Sequence, residues 1–320
     1  MKKESQVLVG MDCGGTNVKF AIVTPEGKIL ESKCAAVDYK EPAEKVIKKI
    51  SLVFKNFIKQ SAFKKIQGVG IGIAGDIDQK KGLVRFSPNL GWNNINLRCL
   101  LSKEIPYPLL IENDANCAAW GAWWLDAKKD CENLICLTLG TGIGGGIILN
   151  SKLYRGATGS AGEIGHMTIR YDGQPCKCGN FGCAESFVGA WGLIREAESG
   201  LKRELAPILK KILKGAPQKK IEPKSIAEAA KAGDPFCQQL WQDTGERLGS
   251  ILSNCVNIFN PERIVLCGGV SKAGSLLLEP ALHTLGRRAF AIPAKKVKVT
   301  VSQYDENLGV VGAALLFLEK

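Results

Sequence analysis

Apolar positions in this chain come in two rhythms, short dense runs and longer stretches with helical spacing. Gln6 to Val23 reads strand, turn, strand: VLVGMD, then CGGTN, then VKFAIV. Lys28 to Cys34 predicts a third strand. Pro42 opens an amphipathic helix to about Gln60, with Val46, Ile47, Ile50, Val53, Phe54, Phe57 and Ile58 on its apolar side. Val69 to Ile73 is a short buried strand running into Ala74-Gly75-Asp76. Residues 76 to 96 read as loop, and Leu109 to Ile111 as another strand. A helix is expected from Ala118 to Leu125. Leu134 to Leu149 then repeats the opening design as LICLTL, GTGIGGG and IIL. Two strand–glycine turn–strand units suggest an internal duplication and two jaws on one phosphate chain. Residues 186 to 260 read mainly helical, broken at Pro207, Pro217, Pro223 and Pro235, with Leu240 to Phe259 the strongest amphipathic stretch. Arg263 to Cys267 is a strand that turns through Gly268-Gly269-Val270-Ser271 into a helix. Asn307 to Leu318 predicts a helix of small residues suited to close packing.

The pattern is that of an α/β chain, and 320 residues allow two domains. Lys2 and Lys3 precede an apolar run, but Glu4, Gly10 and Asp12 interrupt any signal-peptide core. Residues 133 to 151 carry no charge, yet their central glycines favour strand–turn–strand over a membrane span. Nine of the twelve cysteines (Cys13, Cys34, Cys99, Cys117, Cys131, Cys136, Cys237, Cys255, Cys267) are scattered through apolar or helical stretches. That fits free thiols in a reducing cytoplasm. The net charge of +12 owes much to Lys202, Arg203, Lys210, Lys211, Lys214, Lys219, Lys220 and Lys224. No aromatic residue interleaves them and no recognition motif accompanies them, so a solvated helix face is expected rather than a nucleic-acid surface.

Chemistry concentrates in Gly156 to Glu185, GATGSAGEIGHMTIRYDGQPCKCGNFGCAE. Cys176, Cys178, Cys183 and His166 supply three thiols and an imidazole, the four ligands of a closed tetrahedral zinc site. Gly179 and Gly182 free the backbone to wrap a metal, and C-x-C is too short for an easy disulfide. Glu163 and Glu185 flank the loop as fixed acceptors for a ligand rich in hydroxyls. In the first hairpin, Gly14 and Gly15 permit a sharp turn whose N–H groups can face a phosphate, with Thr16 and Asn17 adding side-chain hydrogen bonds. A plain tight hairpin explains the same residues. Glu112-Asn113-Asp114-Ala115-Asn116 leads from a strand into a helix. Asp114 there reads either as an N-cap or as a general base beside a hydroxyl-binding amide. Gly268 and Gly269 end a strand as a seat for a nucleotide base or ribose.

With these residues in place, the chain resembles the ROK sugar kinases, and among them the bacterial glucokinases. The likeness rests on Asp12 to Asn17 (DCGGTN), Gly68 to Gly75, Glu112 to Asn116 (ENDAN), Gly140 to Gly146 (GTGIGGG), Glu163 to His166 (EIGH), Cys176 to Glu185 (CKCGNFGCAE) and Leu266 to Ser271. It implies an actin-like ATPase (ribonuclease H-like) fold, two α/β domains with a cleft between them. The expected division is a small domain over 1–117, completed by a helix at about 305–320, and a large domain over 118–304 carrying the zinc loop. It implies ATP with Mg²⁺, contacted by Asp12, Gly14, Gly15, Thr16, Asn17 and Lys19, by Gly140, Thr141 and Gly142, and by Gly268 and Gly269. It implies sugar contacts from Gly75, Asn89, Asn113, Asp114, Glu163, His166 and Glu185, with Asp114 the catalytic base. Zinc on His166, Cys176, Cys178 and Cys183 is then structural. The segment after Glu185 departs from the family pattern: SFVGAWG stands where relatives carry a small-residue run.

The expected activity is phosphorylation of the 6-hydroxyl of glucose in the cytoplasm, by a homodimer or homotetramer without nucleic-acid or membrane partners. Another ROK sugar kinase, for N-acetylmannosamine, N-acetylglucosamine or fructose, carries the same signatures. A polyphosphate glucokinase and a sugar-responsive regulator are further readings. The regulators carry a helix-turn-helix ahead of the kinase-like body, and a first phosphate strand near Val7 leaves no room for one.

Overall fold

The computed structural model describes residues 6–215 and 220–319. Lys2, Lys3, Glu4, Pro217 and Lys219, used in the sequence reading, lie outside the described residues. In chain order the first elements are β1 (Val7–Cys13), β2 (Asn17–Val23), β3 (Ile29–Ala36), α1 (Ala43–Gln60), β4 (Ile66–Ile73), β5 (Asp76–Asp78), β6 (Leu83–Ser87) and β7 (Trp92–Asn96). They are followed by α2 (Leu97–Ser102), β8 (Leu109–Asn113), α3 (Asp114–Leu125), β9 (Leu134–Leu139), β10 (Ile143–Leu149) and β11 (Lys152–Leu153). The rest of the chain holds α4 (Glu185–Val188), α5 (Ala190–Lys202), α6 (Pro207–Lys214), α7 (Pro223–Lys231), α8 (Pro235–Phe259), β12 (Arg263–Cys267), α9 (Ser275–Arg288), α10 (Ala291–Lys296), β13 (Lys298–Val301) and α11 (Leu308–Leu315).

The chain divides into two compact units, one of Met1–Cys136, Gly146–Gly162 and Gln303–Lys320, the other of Leu137–Gly145 and Glu163–Ser302. The first unit is built on a sheet of order β3-β2-β1-β4-β8. β1 pairs antiparallel with β2 and parallel with β4, which pairs parallel with β8. Met11, Phe20, Ile22 and Ile71 of the sheet meet Val46, Ile47, Ile50, Phe54 and Phe57 of α1 in one buried cluster. That is the apolar face the sequence reading assigned to this helix. α11 lies so close to the sheet that a Cβ on Gly10 would sit 1.8 Å from the Val310 carbonyl oxygen, and one on Gly70 1.7 Å from that of Ala313. Glycine at both strand positions is what admits the helix.

The boundary expected at 117/118 falls inside α3, whose whole length belongs to the first unit. The reason is its packing on α11: Trp120 Nε1 donates to the Leu315 carbonyl at 2.9 Å, and Gly121 abuts the Leu308 backbone. Residues 76–96, read as loop, instead form a three-stranded antiparallel sheet, β5-β6-β7. Its strands are three to five residues long and half polar, so no alternation emerges over so few positions.

The second sheet has the order β11-β10-β9-β12-β13, the same arrangement as the first. That agreement is the structural form of the repeated strand–glycine–strand design. In the second unit α8 begins at Pro235, earlier than the Leu240 start expected, because Asp234 caps it by accepting from the Cys237 amide at 3.1 Å. Leu248, Ile251 and Leu252 of α8 are buried, as are Leu277 and Ala281 of α9. Within the described part of the basic stretch α6 presents the expected solvated face: Leu209 is buried while Lys210, Lys211 and Lys214 are exposed. No helix among the described residues is long and apolar enough to cross a membrane.

Candidate active site

In the first unit, β1 delivers Asp12 and the Gly14-Gly15-Thr16 turn leads into β2. Gly15 has nothing within 4 Å of where a Cβ would stand, so its backbone faces open space. Thr16 and Asn17 bond to each other at 3.2 Å, and the Thr16 carbonyl accepts from the Val37 amide at 2.9 Å. Asp12 lies cross-strand from Lys19 and alongside Gly309 at the start of α11. Burial, reinforced by the charge of Asp114 and opposed by Lys19, raises the Asp12 pKa to about 7. Lys19 Nζ is already engaged, donating to the Glu306 carbonyl at 2.6 Å and to Asn307 Oδ1 at 2.8 Å.

Asp114 is the first residue of α3. The cap is Asn113, whose Oδ1 accepts from the amides of Ala115 and Asn116 at 2.9 and 3.1 Å. Of the two readings of Asp114, capping is therefore carried by its neighbour. Asp114 Oδ1 accepts from the Ala115 amide at 3.0 Å. Burial raises the Asp114 pKa, and the backbone amides partly offset the shift. Asn113 Nδ2 donates to the Gly75 carbonyl at 3.0 Å, so this amide joins the end of β8 to the turn after β4. The next residue, Asp76, is paired bidentately with Arg85 at 2.6 and 2.8 Å and accepts from Ser160 Oγ at 2.6 Å. These bonds hold its pKa below the usual value. Asn89 is exposed in the turn between β6 and β7.

One residue of the Glu112 to Asn116 motif carries a role that its sequence position does not assign. Glu112 is buried, and its Oε1 accepts from the Asn113 amide at 2.9 Å and from Asn116 Nδ2 at 3.0 Å. Its Oε2 accepts from Arg155 Nε at 2.6 Å, and Arg155 in turn forks onto both oxygens of Glu319 at 2.8 and 2.5 Å. A carboxylate at the end of a buried strand does signal that a cation must be near. Nothing in the spacing points to Arg155, 43 positions on.

In the second unit, the Gly140-Thr141-Gly142 turn is gripped by the start of α5. The Ala190 amide donates to the Gly140 carbonyl at 3.0 Å and the Trp191 amide to that of Thr141 at 3.3 Å. A Cβ on Gly142 would stand 2.2 Å from Glu185 Oε2, which accepts from the Ile143 amide at 3.3 Å. Glu185 thus braces the turn as well as flanking the cysteine loop. Trp191, from the segment that departs from the family pattern, carries Arg195 at 5.3 Å and Lys177 at 5.4 Å from its ring centre. Gly268 is held beside Leu139, with the Val270 amide donating to the Leu139 carbonyl at 2.9 Å, while Gly269 faces open space. The expected direct turn into a helix is a short 3-10 turn, Ser271–Ala273, before α9.

His166, Cys176, Cys178 and Cys183 come together with one ligand atom from each within 4.8 Å of all the others. Cys178 and Cys183 sulfurs are 3.7 Å apart, as are Cys176 Sγ and His166 Nδ1. Metal–sulfur bonds of ~2.3 Å at tetrahedral angles put sulfurs about 3.8 Å apart, so the donor set and its spacing fit zinc. Gly182 has φ +68°, and a Cβ there would lie 1.6 Å from the Arg170 carbonyl oxygen, which is why glycine closes this loop. With Nδ1 toward the sulfurs, His166 Nε2 lies 3.9 Å from Glu163 Oε2. The cluster therefore orients an imidazole whose far nitrogen meets one of the two flanking carboxylates.

A family model described as the ROK family matches residues 8–320. The glucokinase of Thermotoga maritima is 32% identical over 314 residues, covering 98% of this chain and 98% of that protein. The xylose repressor of Caldicellulosiruptor bescii is 30% identical over 329 residues, covering 99% of this chain and 79% of the repressor. A solved ROK family glucokinase from Streptomyces griseus, in complex with glucose and AMPPNP, aligns with a TM-score of 0.83 and 33% identity over 98% of this chain and 99% of that one. The fold is accordingly the actin-like ATPase fold expected from the sequence. Two glycine hairpins on like-ordered sheets, the Asn113-capped Asp114 and a clustered Cys₃His loop sit within a match running from residue 8 to residue 320, and the chain belongs to the ROK family.

Proposed function

We propose that this chain transfers the γ-phosphoryl group of ATP to the 6-hydroxyl of glucose. The observation that carries the reading is Asp114, a half-buried carboxylate of raised pKa whose capping duty has passed to Asn113. Similarity to glucokinases across almost the full length of both chains supports the substrate and the donor. Phosphoryl transfer asks little covalent help of a protein: an in-line hydroxyl, charge neutralisation and exclusion of water suffice. Asp114 accepts the proton of the attacking hydroxyl. The open backbone at Gly15 and the Gly140-Thr141-Gly142 turn serve the phosphates, and Gly269 the adenosine. Asp12 is the carboxylate that would hold Mg²⁺, which supplies charge neutralisation to the phosphates. Glu163 and His166 Nε2 serve sugar hydroxyls, with Asn113 offering its second N–H beyond the one given to Gly75. Zn²⁺ on His166, Cys176, Cys178 and Cys183 would supply a rigid cross-link that fixes the ring orientation of His166. Lys19 acts through the Glu306–Asn307 turn it holds rather than as a mobile phosphate ligand. The nine free cysteines outside the metal loop fit a reducing cytoplasm.

The test is ADP release with Mg-ATP across glucose, mannose, fructose, N-acetylglucosamine and N-acetylmannosamine. Preference for glucose is expected. Preference for an acetamido sugar keeps the chemistry and overturns the substrate. Similarity to a xylose repressor over 99% of this chain favours a second reading, a sugar-responsive regulator. Sugar binding without ADP release from any donor is the outcome that selects it.

A further inference from the structure

We infer that Arg155 is a positioning residue for the phosphoryl transfer, acting on Asp114 through Glu112. The inference rests on the reading of Asp114 as the base. Three side chains form a partly buried ionic chain in the first unit, with side-chain exposures of 2% for Glu112, 19% for Arg155 and 17% for Glu319. Its inner end is not a generic contact. Glu112 spends one oxygen on the backbone amide of Asn113 and on the side chain of Asn116, the residues that bracket Asp114 and Ala115. Its other oxygen depends on Arg155 Nε. Without that guanidinium the carboxylate would be a buried, uncompensated charge, and it would rotate toward water. That rotation slackens its hold on the Asn113 amide.

The outer end of the chain supplies rigidity. Glu319 binds the guanidinium bidentately and also accepts from the Leu153 amide at 3.2 Å. A fork between a guanidinium and a carboxylate fixes direction as well as distance, which a lysine cannot reproduce. Arg155 also stands directly before the Gly156–Gly162 loop, which Ser160 and Thr158 tie to the Asp76–Arg85 pair beside Gly75. One residue therefore registers both the base-bearing turn and the loop fastened beside Gly75.

The experiment compares the wild-type full chain with Arg155→Met, Arg155→Lys, Glu319→Gln and Asp114→Asn. Calorimetric titration with glucose gives the fraction of each preparation able to bind sugar, and kcat is expressed per binding-competent molecule. A merely structural role lowers that fraction and leaves kcat per competent molecule unchanged. Arg155→Met is expected to lose about ten- to hundredfold in kcat per competent molecule, the scale of a misplaced reacting group, while KM for glucose moves less than about threefold. Arg155→Lys is expected to recover only part of the loss, and Glu319→Gln to lose about three- to tenfold. Unchanged kcat in the Arg155 and Glu319 variants, with Asp114→Asn inactive, overturns this inference alone. Turnover retained in Asp114→Asn overturns the base assignment and this inference with it. Should Arg155→Met fail to fold, Arg155→Lys and Glu319→Gln decide the matter.

Discussion

Asp114 and Asp12 share one electrostatic problem, two carboxylates near each other with little water. Asp12 is held up to about 7 by burial first and by the charge of Asp114 second. Between about pH 4 and pH 7 the folded protein keeps a proton that the unfolded chain has already released. Stability from this group is therefore full below pH ~4 and is lost as pH rises through about 7. In the absence of metal and nucleotide, Asp12→Asn should melt several degrees above the wild type at pH 8, with the gain vanishing toward pH 4. Melting curves for both proteins across that range check it, and a pH-independent difference would contradict it. Asp114→Asn should lose about 10²–10⁴-fold in kcat while binding sugar nearly as well, as expected for a lost general base. At this scale the sequence announced residue types better than their partners. It named Asn113 and Asp114 but not which of them caps α3, because that choice depends on the exit angle of β8. It named Lys19 but not the Glu306 carbonyl and Asn307 side chain that accept from its ammonium, 287 and 288 positions away. It passed over Arg155 because its partners are brought to it only by the fold.

Elements that carry a long apolar period were legible, and short ones were not. α1 and its buried face follow from spacing alone, as do β1, β2, β4 and β12. The β5-β6-β7 sheet was hidden because strands of three to five residues, with Asp76, Asp78, Asn93, Asn94 and Asn96 among them, offer no alternation to read. The cysteine loop was the opposite case. Its three thiols, imidazole and glycines could be picked out because donor types and turn residues need no help from distant packing, and the four donors lie within 4.8 Å of one another. Zinc analysis of the purified protein should find one equivalent per chain. A chelator, or Cys178→Ser, should lower the melting temperature, and little change in either would remove the metal from the account. Gly182→Ala should act in the same direction, since the added methyl meets the Arg170 carbonyl within the loop.

At the scale of the whole chain, the repeated glycine hairpins in the sequence correspond to two sheets of one strand order. The division into units was less legible, because α3 and α11 lie nearly two hundred residues apart in sequence yet pack as neighbours. Hydrogen exchange should reflect that pairing: Gly121→Val, placed where α3 meets the Leu308 backbone, should speed exchange in α11 and α3 together. The central claim is catalysis at Asp114 with glucose and ATP. Its most direct test is ADP release with Mg-ATP and each sugar of the panel, run beside the Asp114→Asn protein. Glucose-preferring turnover that falls at least about a hundredfold in Asp114→Asn is the predicted result. Turnover that survives the substitution, or sugar binding with no turnover at all, contradicts it.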